Sequence, residues 1–282
     1  MQRSQTYPAI TLLLLFASLI AGCTESGTLD SKPKATPASD TQQIAPTELG
    51  SKQTDVPDFN AIMHIPTKKD KFFAYLQKRI EVANNQVWAE RKFVENYIEE
   101  HQQTNVTPDL HEELTRVAKR YRLDLPENLD ENFLSKLLAR IDVVPASMVL
   151  AQGANESAWG TSRFARDGKN FFGIWCYTEG CGIVPKGRTF GAKHEVRKFD
   201  TVQHGVSFYT HNINTGGAYA EFRRIRAELR ANEEILSGVK LAIGLIRYSE
   251  RGAAYVKEIR AIIKHNELSK YNIHRAEYLI ED

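Results

Sequence analysis

Seven glycines, at positions 160, 168, 173, 180, 182, 187 and 191, divide a chain that reads as helix on both sides. Glycine costs roughly 1 kcal/mol relative to alanine inside a helix, so a stretch this dense in it reads as loops, turns and short strands. Upstream, Phe73, Leu76, Ile80, Ala83 and Val87 recur at three- and four-residue spacing, which predicts one long helix with a buried face to about Glu100. Thr107-Pro108 then reads as an N-cap followed by proline at the first helical position, opening a helix through Leu114, Val117 and Tyr121. Another begins near Leu129, and a further one runs over 147–156 after Pro145. Beyond the glycines, helix is predicted at 206–212, 219–230, 240–248 and 253–264. Within them, 182–184 and 194–199 predict two strands of a hairpin. The expected fold class is mainly α, an α+β domain with a small β-hairpin lobe and an N-terminal helical subdomain.

The first sixty residues belong to none of this. Arg3 precedes an apolar run over 10–20, and Ile20-Ala21-Gly22-Cys23 follows at once. A run that short does not fill the roughly 20 residues of a bilayer span, so it reads as a cleaved export signal. Small residues directly before Cys23 resemble a bacterial lipobox, which predicts cleavage there and a lipid anchor on the Cys23 sulfur. Thr24 after the cysteine leaves the outer membrane as the expected address, with the protein facing the periplasm of the cell envelope. The Ser, Thr, Pro, Lys, Asp and Gln content up to about Asn60 is too polar to bury a core and reads as a tether. The boundaries expected are 1–22 signal, 23–60 tether, 61–140 helical subdomain, 141–270 main domain and 271–282 tail. A net charge of +2 lacks the electrostatic footprint of a nucleic-acid binder.

One carboxylate stands out. Glu156 ends a helix of apolar and small residues and is followed by Trp159 and Gly160, where apolar surface favours the protonated form that a general acid needs. Ser157 has no His and Asp arrangement to make it a nucleophile. His64, His101 and His111 are isolated and read as ordinary structural or exposed histidines. The run Arg223, Arg224, Arg226 and Arg230 reads as a solvated helix face, with contact to peptide carboxylates as the alternative. Cys176 and Cys181 admit two readings, a zinc site with His194 and His204, or a disulfide; export to an oxidising compartment favours the disulfide, and no metal or cofactor is expected.

Val144-Pro145-Ala146-Ser147, the string Ala151-Gln152-Gly153-Ala154-Asn155-Glu156-Ser157-Ala158-Trp159-Gly160-Thr161-Ser162, and Asn170-Phe171-Phe172-Gly173 together resemble the glucosaminidase domain of glycoside hydrolase family seventy-three. Within that family, Trp175-Cys176 to Pro185, His194-Glu195-Val196 and Tyr248 to Gly252 look closest to the bacterial Bax-type proteins. The resemblance covers about 62–270. It implies a lysozyme-like fold and an endo-β-N-acetylglucosaminidase that cuts peptidoglycan glycan strands. It places the general acid on Glu156 and a cleft tyrosine on Tyr255, with Asn170, Phe172 and Gly173 shaping the floor of the cleft. Trp159 and Trp175 are candidate sugar-stacking residues. The second carboxylate departs from the family's Thr-x-Glu-aromatic setting: Glu195 is the first candidate and Glu179 the next, with the substrate's own N-acetyl group as the alternative nucleophile. The competing readings are a lytic transglycosylase and a non-catalytic wall-binding lipoprotein.

Overall fold

The structure is a computed structural model and describes residues 56–102 and 106–272. The export signal, Cys23, nearly all of the tether and residues 273–282 lie outside the described residues. Packed structure includes residues just before the expected domain boundary. Phe59, in a short 3₁₀ turn (Phe59–Ala61), is wholly buried and meets the rings of Phe72 and Tyr75 edge-on.

Helix α1 (Ile65–Gln102) spans 38 residues, and its apolar spacing serves two cores in succession. Phe72, Phe73, Leu76, Ile80 and Ala83 of its first half, with Trp88 beyond them, join the main core. The second half supplies Val87, Val94 and Tyr97 to a smaller core shared with α2 (Pro108–Arg120) and α3 (Glu131–Arg140). Thr107 caps α2 with Pro108 at its first position, and Asp130 caps α3, each side chain accepting an amide from the first turn.

The main core closes around α4 (Ala146–Glu156), in which every residue from Ala146 to Ala154 is buried. A helix apolar and small on all sides has no solvent face and takes the centre of a domain. It packs against α1, the short α8 (Gly238–Leu241) and α9 (Ala253–His265). Proline at its N-cap offers no side-chain bond, and Asn272 supplies one by accepting the Ser147 amide at 3.0 Å. Helices α6 (Val202–Thr215) and α7 (Ala220–Ala231) complete the layer, α6 lying along α1.

The glycine-rich stretch differs from the predicted hairpin in two ways. It holds a short helix, α5 (Arg163–Gly168), capped by Ser162, where no helix was expected. Its sheet has three antiparallel strands in the order β1 (Trp175–Cys176), β3 (Glu195–Arg197), β2 (Gly182–Ile183). Trp175 pairs with Val196 and Cys176 with Glu195, while Ile183 pairs with Val196 from the other edge. Two residues are too few to show a period-two pattern, which is why β1 left no trace in the sequence. The helix predicted at 240–248 is shorter, α8 giving way to a 3₁₀ turn (Ala242–Leu245).

The arginine run is not a solvated face. Only Arg224 stands outside, paired with Glu221 and Glu228. Arg226 is 1% exposed and donates to the carbonyls of Ala139, Asp142 and Val143, around the end of α3, and to Asn214 Oδ1. Arg223 donates to the carbonyls of Ile213 and Gly216 at the end of α6. Arg230 grips Asp142 with two bonds of 2.8 and 3.0 Å. Helix C-termini present unsatisfied carbonyls and negative partial charge, and these guanidinium groups answer both.

Candidate active site

Glu156 is the last residue of α4, and the backbone immediately after it is strained. Ala158, Trp159 and Gly160 all adopt left-handed conformations, with φ of +50°, +60° and +77°. For non-glycine residues this costs about 1–3 kcal/mol each, so the turn must be held by its surroundings. Ser157, fully buried, does much of this: its Oγ donates to the Gly153 carbonyl at 2.5 Å and accepts the Gly160 amide at 2.8 Å. The Trp159 amide returns to the Ala154 carbonyl at 2.9 Å. A Cβ on Gly160 would lie 2.4 Å from the Phe59 ring, so only glycine fits beneath it. Ser157 is thus committed to the turn, in keeping with its poor claim to be a nucleophile.

The opposite wall is the segment Asn170 to Ile174. Asn170 is 1% exposed, and its Nδ2 donates to the carbonyls of Ile174 and Arg197, both at 2.9 Å. Its Oδ1 accepts the amides of Phe172 and Ile174. Every hydrogen-bonding capacity of this side chain is used within the protein. It therefore pins the backbone of this wall from within. The loop so formed carries Gly173 at φ +63°, and a Cβ there would lie 3.7 Å from Glu156 Oε2. The backbone passes directly beside the carboxylate.

Four tyrosines from separate elements face Glu156. Tyr209 comes from α6, Tyr219 from the 3₁₀ turn after it, Tyr248 from the turn before α9 and Tyr255 from α9. Burial is the main cause that pushes Tyr219 up to about 12 and raises the other three, and the charge of Glu156 adds to each. All four phenols therefore remain neutral hydrogen-bond donors at ordinary pH. Tyr255 is hydrogen-bonded to Glu156 itself and accepts from Gln152 Nε2 at 2.9 Å. Tyr248 donates to the Phe172 carbonyl at 2.7 Å and stacks on Tyr255, with ring centroids 5.3 Å apart. Phe172 stacks on Tyr209 at 4.0 Å.

Other expected residues lie elsewhere. Trp159 is half-buried and packs edge-on against Phe72 and Phe73, with the Lys69 ammonium 5.0 Å from its ring, so it joins the core beside α1. Trp175 stacks on His194, with centroids 3.9 Å apart and planes within 10°. His204 faces the Phe199 ring. Cys176 and Cys181 form a disulfide. Glu195 is 5% exposed, and its two oxygens accept the amides of Gly180 at 3.1 Å and Gly182 at 2.7 Å, on either side of Cys181. Its carboxylate holds the disulfide loop, a placement different from the substrate-facing partner expected of it. Glu179 is exposed on the same loop.

Gln152, Tyr209, Tyr219 and Tyr248 were not singled out as site residues from the sequence. The tyrosines converge only through the fold. Gln152 did carry a signal, because a long polar side chain in the middle of a helix buried on all sides needs partners.

The family model for glucosaminidase, described as mannosyl-glycoprotein endo-beta-N-acetylglucosaminidase, matches residues 132–268. That segment runs from α3 past the end of α9 and contains Glu156, the Asn170 loop, the β-lobe and all four tyrosines. The chain is also 31% identical to protein bax of Escherichia coli (strain K12) over 267 residues, covering 93% of this chain and 94% of that one. No solved structure matches. A carboxylate at the end of a buried helix, walled by the loop and tyrosines that lie inside the matched segment, places this chain in the glucosaminidase family, alongside protein bax.

Proposed function

We propose that this protein hydrolyses the glycan strands of peptidoglycan after N-acetylglucosamine, with Glu156 as general acid. The observation that carries the reading is the setting of Glu156: fixed by a strained turn, flanked by backbone at Gly173, and faced by four neutral phenols. Glycosidic cleavage needs one carboxylic acid positioned to protonate the leaving oxygen.

With Glu195 engaged by two amides, the substrate's 2-acetamido group is the better nucleophile. Glu156 gives its proton to the glycosidic oxygen as the bond from that oxygen to C1 breaks. The acetamido carbonyl oxygen attacks C1 and forms a cyclic oxazolinium. Glu156, now a carboxylate, takes a proton from water as the water oxygen adds to C1 and reopens the ring. The acetamide is restored, the acid is reprotonated and the anomeric configuration is retained.

Digestion of purified peptidoglycan followed by mass spectrometry tests the reading. N-acetylglucosamine at new reducing ends is expected, and anhydromuramic ends would instead indicate a lytic transglycosylase. Glu156→Gln should lower turnover by about 10²–10⁴-fold, the usual contribution of a positioned acid. Wall binding without digestion by the wild type would overturn the enzymatic reading in favour of a binding protein.

A further inference from the structure

Most of the arginine run that the sequence offered to peptide carboxylates is turned into the core, and Arg224 outside it is paired. Elsewhere on the surface Arg116, Lys240 and Arg251 are likewise paired with glutamates. The β-lobe is different. Between β2 and β3 the chain carries Lys186, Arg188 and Lys193 and no acid. None of the three has a carboxylate partner among the described residues. Two turns present them: the Arg188 amide donates to the Pro185 carbonyl at 3.1 Å and the Ala192 amide to the Thr189 carbonyl at 3.0 Å. Gly191, at φ +83°, takes the positive φ that the second turn needs, and Phe190 before it is wholly exposed. A Cβ on Gly187 or Gly191 would meet nothing within 4 Å, so the turns stand clear of the rest of the protein.

This basic tip is continuous with the wall beside Glu156. Gly173, where a Cβ would lie 3.7 Å from Glu156 Oε2, is two residues before Trp175 in β1. Trp175 stacks on His194 with centroids 3.9 Å apart, and the His194 carbonyl accepts from Arg188 Nη1 at 3.2 Å. Two extended residues cover about 7 Å, so the path from the carboxylate to His194 is no more than about 20 Å. The bond to be broken joins N-acetylglucosamine to N-acetylmuramic acid, the sugar that bears the peptide, so the stem leaves the cleft next to that bond. An extended peptide spans roughly 3.3 Å per residue, and a stem of four or five residues covers most of the distance. Its free carboxylates then meet cations that have no partner of their own. We infer that the turns between β2 and β3 form a subsite for the acidic stem peptides of the substrate, held by Lys186, Arg188 and Lys193. Phe190, at the crest of the second turn, offers an apolar face to the aliphatic side chains of the stem. This rests on the reading that the cleft takes a peptidoglycan strand.

The protein should therefore prefer glycan that still carries its peptides. Soluble strands with their stems, and the same strands after an amidase has removed them, give the comparison for the full chain. An exposed ion pair is worth up to about fivefold, so three cations should favour the peptide-bearing strands by about tenfold in kcat/KM at low salt. The ratio should shrink as salt screens the contact. It should also fall several-fold toward one in Lys186→Gln/Lys193→Gln, two exposed side chains whose loss leaves the core untouched. Arg188→Lys keeps the charge and should keep the preference. Equal kcat/KM on the two kinds of strand, or a preference undiminished in the double lysine variant, would overturn the inference.

Binding, followed by titration calorimetry of the same strands, separates the subsite from the chemistry. If both kinds of strand stay intact while the peptide-bearing ones bind more tightly through the two lysines, the hydrolytic reading fails and the subsite stands. If both are digested and bound alike, hydrolysis stands and the subsite fails. Vesicles rich in phosphatidylglycerol supply the remaining comparison. Lysine-dependent binding to them that matches or exceeds binding to the strands would assign the tip to a membrane surface and overturn the inference.

Discussion

Glu195, the first candidate for a second carboxylate, is tied into the fold of the β-lobe. Its carboxylate sits between two amides that bracket Cys181 and replaces solvent as their acceptor, deep enough to be 5% exposed. Glu195→Gln keeps the shape but turns an NH₂ group toward one of those amides. Leaving one of these part-buried donors without its acceptor costs up to about 1 kcal/mol, so the melting temperature should fall slightly and the Cys176–Cys181 bond should be reduced faster by a mild thiol. Turnover per folded molecule should change little. A loss of two orders of magnitude in turnover with an unaltered melting curve would instead return Glu195 to the chemistry. Asn170 follows the same logic with both donors and acceptors engaged, so one side chain fixes the backbone that Gly173 brings against Glu156.

Among the elements, α7 matters most for its buried charge. Asp142, in the link between α3 and α4, is 2% exposed and is met by Arg91 from α1 and by Arg226 and Arg230 from α7. Burial alone would raise its carboxyl, but Arg226, Arg230 and Arg91 together hold it below the usual value. Removing one partner from a buried cluster leaves uncompensated charge, so Asp142→Ala should cost about 3–5 kcal/mol in denaturant unfolding. A cost below about 1 kcal/mol would mean that the carbonyls around Arg226 suffice on their own. The sequence showed α7 as a helix but not which way it faced. Arg223, Arg226 and Arg230 share the buried side with Phe222 and Leu229, and a hydropathy reading assigns any arginine-rich face to solvent. What was legible was local: the N-cap of α2, the carboxylate at the end of α4 and the glycine loop opposite it, because each is written in a few adjacent residues. The tyrosine wall drew on positions from 209 to 255 and existed only once α6, the turns and α9 had packed.

For the molecule as a whole, the same contrast between local charge and burial sets how stability responds to acid. His211 on α6 is pushed down to about 4 by burial first, and then by the nearby charges of Arg122 and Arg120. It packs near the Tyr121 ring at the second core, where α6 meets the end of α2. In the unfolded chain a histidine takes up its proton near 6.5, so between 6.5 and 4 the unfolded state binds a proton that the folded state refuses. Stability must therefore fall as pH drops through that window, by roughly 3 kcal/mol in total, with no contribution from this group to the slope above it. His204, also lowered by burial, adds to the slope in the same direction. Asp142 acts in a separate range: its carboxyl is depressed, so its contribution stays complete above the ordinary value of 3.8 and fades only below it. Urea unfolding of the wild type and of His211→Gln at intervals from pH 7.5 to 4 separates these contributions. The variant differs in absolute stability at every pH, but its loss on acidification should be shallower by about 3 kcal/mol. Parallel curves for the two proteins would show that His211 takes up its proton without opening the junction between the cores.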